Sequence, residues 1–234
     1  MKKLKYCVLI PARGGSKGIL NKNIVEIGGM PLIAWTILAA KKVFPDNAIF
    51  VSTDSEEIMR IANEYGANTP FLRPAEISSD TASTESVALH FLKWMDERGL
   101  DLDSLVLMQA TSPVRMAHSL SEAIKLYESE SADSLVTVCK THKFIWRNLK
   151  SPEASYDIYR RPRRQDINQS DEIFFENGSF YITKTAIYKN LKNRLGGKIV
   201  MYQMTEEESF EIDESFHLSI NQVLLGRSIE NDFD

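Results

Sequence analysis

Ile10-Pro11-Ala12-Arg13-Gly14-Gly15-Ser16-Lys17-Gly18-Ile19 follows directly on an apolar run, and its reading decides the fold. Tyr6 to Ile10 reads as a strand, and the next residues read as a glycine-rich turn carrying two cations four residues apart. Backbone N–H groups in a tight turn form an anion-binding concavity. Glycine lets the chain approach an anion without a clashing Cβ. Arg13 can grip phosphate oxygens bidentately, and Lys17 adds a point charge. A first strand that ends this way predicts an open α/β sheet, because such sheets bind ligands at the carboxyl ends of their strands. The turn lacks the G-x-x-x-x-G-K-[ST] spacing of a Walker A loop. It also lacks the G-x-G-x-x-G spacing of a dinucleotide fingerprint, which disfavours an NAD-dependent oxidoreductase. The ligand it predicts is a polyphosphate.

Outward from this turn, short apolar runs alternate with helical patterns. Pro31 to Lys41, Glu56 to Tyr65, Ser83 to Glu97 and Ser119 to Ser129 read as helices. Val87, Phe91 and Met95 recur every four residues, with Ala88 and Leu92 beside them, so the third helix has a wide apolar face. Ala48 to Ser52, Ser104 to Met108 and Ser134 to Val138 read as strands. This rhythm predicts a mostly parallel sheet with helices on both faces. It breaks after Cys139, where residues 140–172 are polar, basic and without a clear period. That segment is expected to reach away from the domain as an arm. Phe174 to Thr183 then reads as a strand, Thr185 to Asn193 as a short helix, Lys198 to Met201 as a strand and Phe216 to Ile229 as a closing helix.

A chain of 234 residues with 43% apolar content suits one α/β domain, residues 1–234. The net charge of −4 argues against general nucleic-acid binding, so local basic clusters call for a small anion. Cys7 and Cys139 both fall in apolar runs and read as buried free thiols of a reducing compartment. The apolar stretch after Lys5 is too short for a secretory core, and no span reaches the ~20 apolar residues of a membrane helix. The expectation is a cytoplasmic protein without membrane or nucleic-acid partners.

Four further stretches could carry chemistry. Ser52-Thr53-Asp54-Ser55 reads as a helix cap at a strand end, beside the phosphate turn. Gln109-Ala110-Thr111-Ser112-Pro113-Val114-Arg115 offers an amide, two hydroxyls and a guanidinium at another strand end. Arg160-Arg161-Pro162-Arg163-Arg164 is stiffened by proline and predicts a carboxylate or phosphate partner. In Glu211-Ile212-Asp213, strand geometry would put both carboxylates on one face, where a divalent cation would relieve their repulsion. A phosphate cradle, a magnesium pair and an arginine cluster together describe phosphoryl or nucleotidyl transfer.

These residues also resemble the N-acylneuraminate cytidylyltransferases, over nearly the full chain. The glycine turn with Asn21-Lys22-Asn23-Ile24 is similar to the family's signature loop. Ser52-Thr53-Asp54, Arg73-Pro74-Ala75-Glu76, Gln109-Ala110-Thr111-Ser112-Pro113 and Glu176-Asn177-Gly178-Ser179-Phe180-Tyr181 are similar to its later blocks, in the same order. The resemblance implies a Rossmann-like sheet of the nucleotide-diphospho-sugar transferase type, with an arm over residues 140–172 that pairs two subunits into a homodimer. It implies that CMP passes from CTP to the anomeric hydroxyl of a nine-carbon 2-keto sugar acid, with release of pyrophosphate. Carried over by position, Arg13, Gly14, Gly15, Ser16 and Lys17 would hold the CTP phosphates, and Asn23, Arg73 and Thr84 the nucleoside. Gln109, Arg164 and Tyr181 would line the sugar pocket, and Glu211 with Asp213 would bind Mg²⁺. Arg13, Lys17 and Asp213 would be the catalytic set. Three positions depart from the family pattern: Glu211 stands for an aspartate, Leu20 for a proline, and Phe175 for a cation. The same chemistry on legionaminate, pseudaminate or another nonulosonic acid is the near alternative. A non-catalytic nucleotide-binding module is the alternative of another class.

Overall fold

The computed structural model describes residues 2–16, 18–116 and 118–231, apart from the side chains of Arg164, Gln169 and residues 227–231. The strands are β1 (Lys2–Pro11), β2 (Glu26–Ile27), β3 (Met30–Pro31), β4 (Ile49–Ser52), β5 (Leu100–Met108), β6 (Ser134–Thr141), β7 (Trp146–Arg147), β8 (Glu153–Ala154), β9 (Ile173–Lys184) and β10 (Ile199–Met204). The α-helices are α1 (Leu32–Lys41), α2 (Glu56–Glu64), α3 (Thr84–Glu97), α4 (Ser119–Ser129), α5 (Thr185–Leu191) and α6 (Ser215–Asn231). Six strands form the central sheet in the order β10-β6-β9-β5-β1-β4. All run parallel except β9, which pairs antiparallel with both β5 and β6. The expected α/β architecture stands, and β9 is the exception that the βα rhythm did not foretell.

Sequence period explains the layers. Strand β1 is central, so its run Cys7 to Ile10 is buried on both faces. Val8 and Ile10 pack with Ile33 and Ile37 of α1 and Leu120 of α4. Cys7 and Leu9, on the opposite face, pack with Ala88, Phe91 and Met95 of α3. The expected apolar stripe of α3 therefore fills one side of the sheet. Ser83 caps that helix by accepting the Ser86 N–H at 3.1 Å. Gly66, at φ +92°, follows α2 in the left-handed backbone that ends a helix, as its place in the sequence predicts. Both cysteines are buried and free, as expected.

Chain order in the sheet creates the site. From β1 the chain moves outward to β4 and then returns across β1 to β5. Such a reversal opens a crevice at the carboxyl ends of the strands. Pro11, Ser52, Met108 and Thr141 all end strands on this edge.

The chain after β10 returns to the same edge. Glu208, buried, accepts hydrogen bonds from the Met116 N–H at 2.9 Å, the Ser119 hydroxyl at 2.6 Å, and the Thr205 N–H and hydroxyl at 3.2 Å. It thereby ties the start of α4 to the segment leading into Glu211. Glu208→Ala strands those donors in the interior and is expected to cost about 3 kcal/mol. Urea unfolding would read this as a lower midpoint, and an unchanged midpoint would remove Glu208 from that role.

Candidate active site

The glycine turn lies where the strand ends predict, and the N–H of its first glycine is engaged by the protein itself. The Gly14 N–H donates to Asp54 Oδ1 at 2.8 Å. A Cβ on Gly14 would come within 3.1 Å of the Ser55 Cβ, so glycine permits the turn to close on the loop after β4. Ser55 caps α2 as expected, its hydroxyl accepting the Ile58 N–H at 3.3 Å. Gly15 is exposed, and Ser16 lines a cleft of 260 Å³. Lys17 lies outside the described residues.

Arg13, Lys22, Asn23, Arg73, Thr84 and Gln109 line the same cleft. Asn23 is buried and its amide donates to the Arg13 carbonyl at 2.9 Å, which fixes the turn. Arg73 is buried with Nη2 3.7 Å from Asp54, and its Nε donates to the Ser78 hydroxyl at 3.1 Å. Burial lowers its pKa, and Asp54 opposes that effect. The Arg13 guanidinium is ion-paired with Asp80 from the hydroxyl-rich loop before α3. Any phosphate held by Arg13 must compete with that carboxylate.

A second, larger cavity of 670 Å³ opens beside the cleft, lined by Lys140, Phe175, Glu176, Glu211, Asp213 and His217 among others. Glu211, Ile212 and Asp213 are irregular chain here and not the strand that would have put both carboxylates on one face. Tertiary contacts bring the two carboxylates together instead. Ile212 is 0% exposed against Ile27, Leu32, Val114 and Leu225, and its N–H donates to the Thr111 carbonyl at 2.8 Å. That anchor is worth about 2 kcal/mol of apolar burial. It leaves Glu211 and Asp213 on either side. Glu211 lies against Gly178, where a Cβ would overlap its carboxylate, and Gly178 at φ +66° needs glycine in any case. His217 Nδ1 accepts the Asp213 and Glu214 N–H groups at 3.2 and 3.1 Å, which holds Asp213 at the head of α6.

Lys22 joins the two cavities. Its ammonium donates to the Ile212 carbonyl at 2.8 Å and lies 3.3 Å from Asp213 Oδ1. Even so, negative charge is in excess. Burial, then Asp213, push the Glu211 carboxyl up to about 7, with Glu176 adding to the effect and Lys22 and Arg115 opposing it. A divalent cation would relieve this excess. Among the described residues no group of three or more His, Cys, Asp or Glu could hold a metal by itself. Two carboxylates do fit Mg²⁺, which is commonly held by one or two carboxylates together with substrate phosphates.

Other expected residues fall elsewhere. The Tyr181 side chain is only 2% exposed and lines neither cavity; its hydroxyl donates to Glu176. Arg115 does not offer its guanidinium to a ligand. It is half-buried and donates to the Ser179 hydroxyl (3.0 Å), the Thr36 hydroxyl (2.9 Å) and the carbonyls of Gln109 (2.7 Å) and Ser179 (2.8 Å). Burial pushes it down to about 9. The basic run does not converge on one anion: Arg161 stacks 4.3 Å from the Phe144 ring, and Arg163 pairs with Asp166 at 2.6 Å. Arg164 begins a 3-10 turn, Arg164–Asp166.

Several site residues had no assigned role in the sequence reading: Lys22, Asp80, Glu176 and His217. One signal was present for Lys22, which lies inside a block already read as functional. Asn177 marks another feature that local pattern could not reveal. The register of β6 with β9 slips between Val136 and Val138; at this bulge Gly178 lies against Glu211 and Gln109, and the Asn177 amide donates to the Ser209 hydroxyl at 3.0 Å.

A cytidylyltransferase family model matches residues 7–221. The chain belongs to this cytidylyltransferase family. The N-acylneuraminate cytidylyltransferase A of Danio rerio is 38% identical over 211 residues, which is 88% of this chain and 47% of that protein. The N-acylneuraminate cytidylyltransferase of Escherichia coli O18:K1:H7 (strain RS218 / NMEC) is 35% identical over 224 residues, 92% of this chain and 51% of that protein. This cytidylyltransferase chain thus spans about half the length of those relatives. The post-translational flagellin modification protein B of Campylobacter coli is 30% identical over 218 residues, 92% of this chain and 93% of that protein. A solved CMP:2-keto-3-deoxy-manno-octonic acid synthetase complexed with CTP superposes with a TM-score of 0.68 at 14% identity, covering 96% of this chain and 99% of that one. The 4-diphosphocytidyl-2C-methyl-D-erythritol synthase from Anaerococcus prevotii DSM 20548 gives 0.66 at 13%, covering 95% and 99%. At that identity the two structures speak for the shared fold alone. Among the described residues no helix is long and apolar enough to cross a membrane.

Proposed function

We propose that this chain transfers CMP from CTP to the anomeric hydroxyl of a nine-carbon 2-keto sugar acid of the N-acylneuraminate type. The observation that carries this reading is the pairing of two cavities across Lys22. The basic 260 Å³ cleft suits a nucleoside triphosphate, and the 670 Å³ cavity with Glu211 and Asp213 on its wall suits a polyhydroxylated acceptor. The names of the Danio and Escherichia relatives support the same substrate class.

In this reading Asn23, Arg73 and Thr84 orient the nucleoside. Arg13, released from Asp80, holds the triphosphate with Lys17. The acceptor's anomeric hydroxyl gives up its proton to water as its oxygen forms a bond to the α-phosphorus; the α–β bridging P–O bond breaks, and its electron pair leaves with pyrophosphate. No covalent enzyme intermediate is required, so the protein contributes position and charge neutralisation. Glu211 and Asp213 would hold Mg²⁺, which supplies positive charge to the phosphates when bound. Gln109, on the wall of the cleft, and Arg164 are carried over from the resemblance as contacts of the sugar acid, with Arg164 a candidate partner for its carboxylate.

The test is pyrophosphate release with CTP, Mg²⁺ and a panel of N-acetylneuraminate, legionaminate and pseudaminate. The flagellin-modification relative, matched over nearly its whole length, supports including the last two. Release with at least one acid, abolished by a metal chelator, is expected. Silence across the panel would favour a nucleotide-binding module.

The same reading makes the chain a homodimer in the cytoplasm, paired through residues 140–172. That arm carries the β7–β8 hairpin and exposes Trp146 (53%) and Tyr159 (91%), apolar surface that a second subunit would cover. Sedimentation at micromolar concentration is expected to give a dimer, and a monomer would contradict the pairing.

A further inference from the structure

We infer that Glu176 selects the acceptor by taking a hydrogen bond from one of its neutral donors, an amide N–H or a hydroxyl, and that Tyr181 is the positioning residue that aims it. This rests on the proposal that the 670 Å³ cavity receives a sugar acid. Glu176 lines that cavity from the edge of the β9 bulge, paired with Val138 and followed by the buried Asn177 and Gly178. Its Oε1 accepts the Tyr181 hydroxyl. Burial, followed by the hydrogen bond to Glu176, raises the Tyr181 pKa, so the phenol keeps its proton and remains a donor.

Tyr181 is itself braced. The Arg194 guanidinium stacks 4.9 Å from its ring, and Arg194 donates to Glu85 in the first turn of α3 at 2.6 Å. A phenol locked in this way holds Glu176 in one orientation at no further cost in side-chain entropy when a ligand arrives. An ionised carboxylate offers about four acceptor positions. The wall takes one, and the rest serve the cavity.

Charge decides what can meet them. Glu176, Glu211 and Asp213 line the same cavity, so Glu176 adds to the negative field at that end. Lys143 lines the arm side of the same cavity, beside Lys140, which is paired with Glu172. A substrate carboxylate is drawn to the arm and repelled by Glu176. An uncharged N–H or O–H is the group that Glu176 accepts.

Steady-state pyrophosphate release tests this with CTP, Mg²⁺ and the best sugar acid, on the wild type, Glu176→Gln, Tyr181→Phe and the double variant. Glu176 is exposed and its replacement isosteric, so folding is not at stake. Glu176→Gln is expected to raise KM for the sugar acid about tenfold, the usual scale of a charge-assisted hydrogen bond. KM for CTP and kcat should stay within about twofold, the pattern of lost uniform binding. Tyr181→Phe should raise the sugar KM about threefold, and the double variant should be no worse than Glu176→Gln, because one residue acts through the other. An unchanged sugar KM in Glu176→Gln, or a lower one that would put the substrate carboxylate here, overturns the assignment. Additive losses in the double variant overturn the positioning role of Tyr181. A wild type silent on every acid defeats the proposed function and this assignment with it. An active wild type with an indifferent Glu176→Gln defeats this assignment alone.

Discussion

Asp213→Ala should lower turnover on the order of a thousandfold while leaving the fold intact. The Asp213 side chain is 63% exposed, and among the described residues it is ion-paired with Lys22 at 3.3 Å. The backbone around it is held independently, by the buried Ile212 and by His217. Removing the carboxylate therefore costs little packing. What it removes is one of the two groups that would fix Mg²⁺ next to the phosphates. It also takes the ion pair from Lys22, whose ammonium keeps its hydrogen bond to the Ile212 carbonyl. Circular dichroism should be unchanged, and the magnesium dependence of any residual rate should weaken. Wild-type turnover in this variant would remove Asp213 from the site.

Glu211→Gln should act with opposite signs on activity and on stability. The folded-state pKa of Glu211 is pushed up to about 7, first by burial and then by Asp213. Between the ordinary carboxylate range and 7, the unfolded chain has lost this proton and the folded chain still holds it. Stability therefore falls as pH rises through that window, and the full penalty is present by pH 8. Glutamine keeps the shape against Gly178 and abolishes the charge. The metal-free variant should gain about 1–3 kcal/mol at pH 8 and almost nothing at pH 5. That corresponds to a higher melting point by roughly 2–10 °C at pH 8. Turnover should meanwhile fall at least about a hundredfold, because a neutral amide is a poor partner for Mg²⁺. Melting curves at the two pH values, without metal, decide the matter. Equal shifts at pH 5 and pH 8 would mean that Glu211 does not carry this strain.

Much of the architecture was legible in the sequence because it rests on local rules. Alternation in β1 and the 3.6-residue stripe of α3 specify which side chains face the sheet, whatever the rest of the chain does. The place of the glycine turn, at a strand's carboxyl end, follows from the same rhythm. The role of Gly14 did not follow, since its N–H goes to Asp54 forty residues away. Arg115 shows the same limit. Its sequence context offers a guanidinium to a ligand, but four acceptors from Thr36, Gln109 and Ser179 surround it. Tyr181 was carried over as pocket lining from the family resemblance alone. The bulge at Asn177 puts Glu176 in the cavity and Tyr181 behind the wall.

Hydrophobic periodicity and turn chemistry, both encoded over a few residues, were enough to establish an α/β sheet with a cationic turn at its ligand-binding edge. Which charges meet at that edge was decided only by tertiary structure. Lys22, Gln109, Gly178 and Glu211 come from four separate segments, and each is held by contacts made across the fold. The physical reason is that burial and neighbouring charge govern an ionisable group, and both depend on residues distant in the chain.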